Sequence, residues 1–138
     1  MSHVTTANDR SHESTRFLRR ALLADAGVSG AAGLLMLLGA DVLAGLLGLP
    51  TALLRTAGIA LIPFVAFVAY VGTRDRLAPP AVWTVIACNA LWAAGSLVLL
   101  TWLAPTVLGY LFVVAQATAV AVFAELQFIG LRRSRHDR

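Results

Sequence analysis

The chain has 138 residues, of which 59% are hydrophobic and only 13% are charged, whereas ordinary soluble domains carry about 25% charged residues. A chain this short has a high ratio of surface to volume and cannot hide so much apolar side chain from water, which excludes an ordinary soluble globular domain. All 11 basic residues are arginine, and the net charge is +4. Most of these arginines lie at the edges of apolar runs and no nucleic-acid-binding motif is present, so membrane orientation explains them better than nucleic-acid binding.

The chain opens with MSHVTTANDRSHEST, residues 1–15, which is polar and has no apolar periodicity. We predict a disordered cytoplasmic tail for this segment. A transmembrane domain over residues 16–132 follows, and residues 133–138 form a basic cytoplasmic tail. A cleavable signal peptide is the alternative for the first apolar run, but the run is longer than the usual apolar region of about 7–15 residues, and Asp25 interrupts it.

Four apolar segments make up the predicted transmembrane domain. Each exceeds the roughly 20 residues that an α-helix needs to cross a bilayer. Proline stands at or just before the start of the second, third and fourth segments, where its missing N–H is harmless. The runs are apolar all round, whereas barrel strands alternate in polarity. The sequence therefore predicts an all-α polytopic membrane protein with a four-helix transmembrane bundle, spanning about 18–40, 51–73, 80–103 and 105–131.

The distribution of arginine predicts the orientation of this bundle. With the N-terminus inside, ten of the 11 arginines fall on the inner side and Arg55 alone falls outside. Cytoplasmic loops carry the excess of positive charge, so both termini are predicted to be cytoplasmic in a multi-pass protein of the cell inner (plasma) membrane.

Two pairs of segments suggest an internal repeat. AAGLLMLL at 31–38 resembles AAGSLVLL at 93–100, and YVGTR at 70–74 resembles FIGLR at 128–132, in the same order. Such similarity is compatible with two tandem helical hairpins in parallel orientation, a known membrane architecture. Chance similarity between helices rich in alanine and leucine is the alternative.

Polar residues inside the apolar segments are candidates for a functional site, since they cost free energy in lipid. At about 1.5 Å per residue, the polar positions on three different segments lie roughly 7 to 14 Å from the inner edge. Asp25 and Ser29 are four residues apart and share a helix face. The candidate intramembrane polar site comprises Asp25, Ser29, Asn89, Glu125 and Gln127.

Two interpretations of this polar layer stay open. Asp25 and Glu125 could share or relay a proton, with Asn89 as a neutral hydrogen-bond partner. Alternatively, the two acids pair with arginines at the inner boundary, which are within reach of the same layer. The candidate arginines are Arg16, Arg19, Arg20, Arg132 and Arg133.

Other residues point to structural roles. Asp41 and Arg55 flank the connection between the first two spans, and we expect an outer ion pair that ties the ends of the first hairpin. Cys88 is the only cysteine, which excludes an intramolecular disulfide, and we expect it to act as a small hydrophobe. The three histidines lie in the tails, so no metal site and no cofactor is predicted.

In size and helix count the chain resembles small bacterial four-helix integral membrane proteins, many of unassigned function. It is similar to small multidrug exporters in having four helices and a carboxylate in the first span, but their carboxylate is a glutamate and their surrounding pattern is absent around Asp25. Their function is not carried over.

No catalytic motif is visible, so the sequence does not predict an enzyme. The first functional hypothesis is a non-catalytic structural or accessory membrane protein. The second is a proton-coupled small-solute transporter or channel subunit that uses the Asp/Glu/Asn layer. The lipid bilayer is the expected partner, nucleic acid is not, and the sequence leaves open a homo-oligomer or another membrane protein.

Overall fold

The computed structural model describes residues 2–136, which contain five helices and no strand. Four of these helices are long and apolar enough to cross a membrane by length and composition. The predicted all-α class and its four long apolar helices are therefore confirmed. The helices are α1 (Ser2–Leu38), α2 (Ala40–Leu47), α3 (Thr51–Thr73), α4 (Pro79–Leu99) and α5 (Val107–His136).

The first helix begins earlier than the sequence predicts. We expected disorder through residue 15, whereas α1 is helical from Ser2. Extending a helix that is already nucleated costs little free energy. In addition, α1 packs near Phe17 and Leu18 against the C-terminal part of α5. A Cβ at Gly130 would lie 3.0 Å from Leu18 Cβ and 3.1 Å from the Phe17 ring. The close contact between these two helices favours helical backbone at the boundary of the predicted tail.

The short helix α2 occupies the segment that the sequence assigned to the outer connection. It ends at Gly48, whose φ of 65° is the left-handed conformation that glycine adopts at helix C-termini. Thr106, just before α5, satisfies its last carbonyls: the Thr106 N–H donates to Leu47 O at 3.0 Å and its hydroxyl donates to Leu46 O at 2.8 Å. These contacts join the end of α2 to the start of α5.

The four long helices enclose a cleft because one pair of neighbours barely meets. α1 packs along both α3 and α5, and α5 packs along α4, but α3 and α4 touch sparsely. α1 and α3 also approach closely, and a Cβ at Gly58 would be 2.9 Å from the Gly33 carbonyl oxygen. The helices do pack as two hairpins, but the extended contact of α1 with α5 has no equivalent between α3 and α4. The repeat itself stays a prediction.

Two apolar clusters form the core, one towards each end of the helices. Many large apolar side chains lie instead on the outer surface of the long helices, including Leu38, Leu91 and Leu111. The inner cluster lies towards the helix ends that carry most of the arginines. It comprises Leu18, Leu22, Ala26, Val68, Val71, Leu77, Val82, Val85 and Leu131. The outer cluster comprises Met36, Ala40, Leu47, Leu49, Leu54, Leu61 and Val113.

Candidate functional site: a buried carboxylate with neutral donors

A carboxylate lies wholly buried in the apolar part of α1. Asp25 has 0% of its surface exposed, and Ser29, one turn later on the same face, has 4%. The Ser29 hydroxyl donates to Asp25 Oδ1 at 2.9 Å. The two residues that the sequence placed on one helix face, Asp25 and Ser29, are therefore hydrogen-bonded to each other.

The other partners of this carboxylate come from two different helices. Asn89 of α4 and Gln127 of α5 both donate an amide N–H to Asp25 Oδ2, each at 2.7 Å. Asn89 Nδ2 also donates to Gln127 Oε1 at 3.1 Å. Both amides are buried, with 1% and 0% exposed. We call these four side chains the Asp25 network: Asp25, Ser29, Asn89 and Gln127.

The Asp25 network is consistent with an ionised carboxylate. Such a group only accepts hydrogen bonds, and every contact that Asp25 makes comes from a donor. An amide has both donors and an acceptor, so Asn89 and Gln127 can bond to each other while both donate to Asp25. Among the described residues, no buried side-chain nitrogen or oxygen is without a partner. Three neutral donors therefore contact the Asp25 carboxyl group.

The arginines near the inner boundary do not neutralise Asp25. Arg19, one of the arginines considered as its partner, instead donates to backbone carbonyls at the end of α3: to Gly72 O at 2.5 Å and to Arg74 O at 2.7 Å. Within the described part of the chain, Asp25 forms no ion pair. A fork of guanidinium donors thus closes the C-terminus of α3, where carbonyls lack intrahelical partners.

Glu125 lies outside the Asp25 network. Its side chain is exposed on the surface of α5, and in residues 2–136 it makes no hydrogen bond or ion pair. It stands two residues before Gln127, and two residues turn an α-helix by about 200°, so the two side chains point to opposite faces. Although Glu125 and Asp25 are predicted to lie at a similar distance from the ends of their helices, their side chains do not meet.

A second polar group lies further along the same helices. The Trp92 indole N–H donates to Gln116 Oε1 at 2.8 Å, and Gln116 Nε2 donates to Ser96 Oγ at 2.9 Å. This group was not predicted as a site. A signal was available: Gln116 shares a helix face with Gln127, and Ser96 shares one with Asn89, so both polar faces turn towards the interior.

Three cavities lie among the long helices: the outer and inner ones border both α3 and α4, and the middle one lies mainly between α1 and α5. The outer cavity, of about 290 Å³, runs from Leu49 and Leu53 to Trp92 and Gln116. The middle cavity, of about 280 Å³, reaches from Gln116 to Ser29. The inner cavity, of about 380 Å³, is lined by Ser29, Asn89, Phe64 and Cys88, among others. Two members of the Asp25 network therefore border open space.

The remaining predicted residues lie apart from this site. The structure places Asp41 and Arg55 together at the outer end, with Arg55 Nη2 3.1 Å from both carboxylate oxygens. Cys88 is exposed and borders the inner cavity. No group of three or more His, Cys, Asp or Glu side chains that could hold a metal ion occurs among the described residues.

Comparisons with known proteins add no relative. The chain matches no protein-family model, and searches of curated proteins and of solved structures give no match. The contacts and burial of its own residues therefore carry the functional argument.

Proposed function

We propose that the protein is a multi-pass integral membrane protein of the cell inner (plasma) membrane with both termini in the cytoplasm. Four apolar helices of sufficient length support insertion. Large apolar side chains on the helix surfaces support it further: Leu38 is 82% exposed and Leu91 is 73% exposed, which suits contact with lipid. The ten arginines on one side support the orientation.

Within that setting, the best-supported function is proton-coupled transport or conduction of a small solute, without catalysis, in which Asp25 takes up and releases a proton. One observation carries this proposal: a fully buried carboxylate has three neutral donors, no cationic partner among the described residues, and two network members that border cavities. Ionisable groups inside membrane spans usually mark ion or proton pathways, since a purely structural contact does not need the charge.

The Asp25 network is compatible with both protonation states. When Asp25 is ionised, Ser29 donates to Oδ1. When Oδ1 carries a proton, the same hydroxyl can turn and accept it, and then donate to the backbone carbonyl one turn earlier, as serines in helices commonly do. Asn89 and Gln127 continue to donate to Oδ2 in both states. A single hydroxyl rotation thus accommodates the proton without leaving a buried group unsatisfied.

A structural or accessory role is the second candidate, and the same network favours it. Its hydrogen bonds join α1 to α4 and α5, and polar side chains between helices are a recognised source of stability in membranes. In this role the protein supports a partner and its carboxylate never changes state. Because four helices enclose little space, either role suits a homo-oligomer or an assembly with another membrane protein.

Proton movement in reconstituted vesicles separates these candidates. Purified protein is placed in lipid vesicles that contain a pH-sensitive dye, and an external pH step is applied. We expect the wild type to change the internal pH faster than empty vesicles, and Asp25→Asn to remove the difference. Glu125→Gln is the matched control, because it also removes one carboxylate from an apolar helix but leaves the Asp25 network intact.

Each outcome decides between the two roles. Loss of flux in Asp25→Asn with retention in Glu125→Gln supports the proton-coupled role. Wild-type protein that behaves as empty vesicles do, while remaining helical by circular dichroism, would favour the structural role.

A further inference from the structure

All three cavities meet at one side chain, Trp92. Among the residues that the structure describes, it alone lines the outer, the middle and the inner cavity. The outer and inner cavities also share Leu91, but that side chain is 73% exposed and lies on the helix surface. The indole of Trp92, on α4, therefore separates the outer cavity from the inner cavity beside Ser29 and Asn89.

The position of this indole is fixed by hydrogen bonds from a neighbouring helix. Its N–H donates to Gln116 of α5, and the amide of Gln116 is held in turn by Ser96 on α4. The indole N–H is partly buried and has Gln116 as its acceptor, so rotating the ring away would break this bond unless Gln116 moves too. The chain of two hydrogen bonds keeps the ring in the space between the cavities.

The opposite end of the site is closed. The buried side chains Leu18, Leu22, Val82, Val85 and Leu131 belong to the apolar cluster that lies towards the arginine-rich ends of the helices. They leave at most 2% of their surface exposed. A polar species that approaches the Asp25 network along the helix axes is therefore excluded from this end and meets cavities on the side of Trp92.

We propose that Trp92 is the barrier of an access route that runs from the end bearing Asp41 and Arg55 to the Asp25 network, with Gln116 and Ser96 holding the barrier shut. The route begins in the outer cavity, passes the indole and ends at Ser29 and Asn89. This inference deepens the proposed proton-coupled function, since it specifies where that site is reached. Trp92 acts as a positioning residue, because it governs access and does not itself hold the proton.

The single cysteine of the chain provides the test. Cys88 borders the inner cavity, one residue before Asn89 and one turn before Trp92. A thiol reacts as the thiolate, which requires water or a polar reagent at the sulfur. A membrane-impermeant, positively charged methanethiosulfonate reagent is applied to full-length protein in vesicles from the side bearing Asp41 and Arg55, and modification of Cys88 is followed by mass spectrometry.

Cys88 is exposed, but it lies midway along the apolar helix α4, where a charged reagent does not arrive through lipid, so we expect slow modification in the wild type. We expect a rise on the order of tenfold in Trp92→Ala, because the ring no longer separates the cavities. Trp92→Phe keeps a ring but loses the N–H bond to Gln116, so its rate should lie between the two. Phe64→Ala is the matched control: it removes an aromatic ring that lines the inner cavity but not the outer one, and its rate should stay at the wild-type value.

An unchanged rate in both Trp92 variants would overturn the inference, as would an equal rise in Phe64→Ala or rapid modification of the wild type. Trp92→Phe keeps the test decisive if the alanine variant does not fold. Asp25→Asn should leave the Cys88 rate unchanged. Wild-type protein that shows no proton flux but gives the expected Cys88 rates in the Trp92 variants would therefore refute the proton role alone. Wild-type proton flux with unchanged Cys88 rates in the Trp92 variants would refute the barrier alone.

Discussion

Asp25 and Glu125 are both carboxylates in apolar helices, but Asp25 is buried between helices and Glu125 is exposed on the surface of α5. The sequence places both at similar depth, but only Asp25 turns inward, where three donors surround it. Depth follows from counting residues along a helix, whereas the direction of a side chain depends on which face of α5 packs against its neighbours. Gln127 and Gln116, eleven residues apart, marked that inward face in the sequence, and Glu125 lies off it.

Substitution of Asp25 should affect stability according to the shape and polarity of the new side chain. Asp25→Asn preserves an acceptor for Asn89 and Gln127 and offers an N–H to Ser29, so we expect stability within about 1 kcal/mol of wild type. Asp25→Leu leaves the Gln127 N–H without its acceptor, and we expect a loss of about 1–3 kcal/mol. Unfolding in increasing sodium dodecyl sulfate, followed by circular dichroism, measures both. Equal stability of the two variants would contradict this account of the network.

At the scale of elements, the long helices follow from the sequence more fully than their ends and connections do. Proline at the start of α4 and the apolar runs locate the spans. The short helix α2 was assigned to a connection because its eight residues are too few to span a membrane, and its end depends on Thr106, which is 59 residues after Leu47. Contacts this distant in the chain leave no local pattern. Arg19 shows the same limit, since its carbonyl partners lie on another helix.

The contact between α1 and α3 should depend on a glycine. At Gly58 a Cβ would lie 2.9 Å from Gly33 O and 3.0 Å from Leu37 N, and backbone atoms cannot move aside without separating the helices. We expect Gly58→Ala to destabilise the protein by about 1–3 kcal/mol, the usual cost of overpacking. Gly95→Ala is the control, because no atom lies within 4 Å of that Cβ position. The same detergent unfolding experiment compares them, and equal stability would show that the close contact is unimportant.

At the scale of the whole molecule, the arrangement of helices explains how a small chain can keep both a buried charge and open space. α1 lies between α3 and α5, so the Asp25 network is closed on that side, while the sparse contact of α3 with α4 leaves the cleft. The sequence predicts the four long helices and the presence of a polar layer, but not the short helix α2. It does not predict which pair of helices separates, because that depends on many small differences in packing between similar apolar surfaces.

The central claim is that Asp25, held by neutral donors, changes its protonation state. Infrared difference spectra of the protein in lipid, recorded between about pH 5 and about pH 8, detect protonated carboxyl groups directly. We expect a carboxyl band that appears at low pH in the wild type and in Glu125→Gln and is absent in Asp25→Asn. A band that persists in Asp25→Asn, or that disappears only in Glu125→Gln, would contradict the claim.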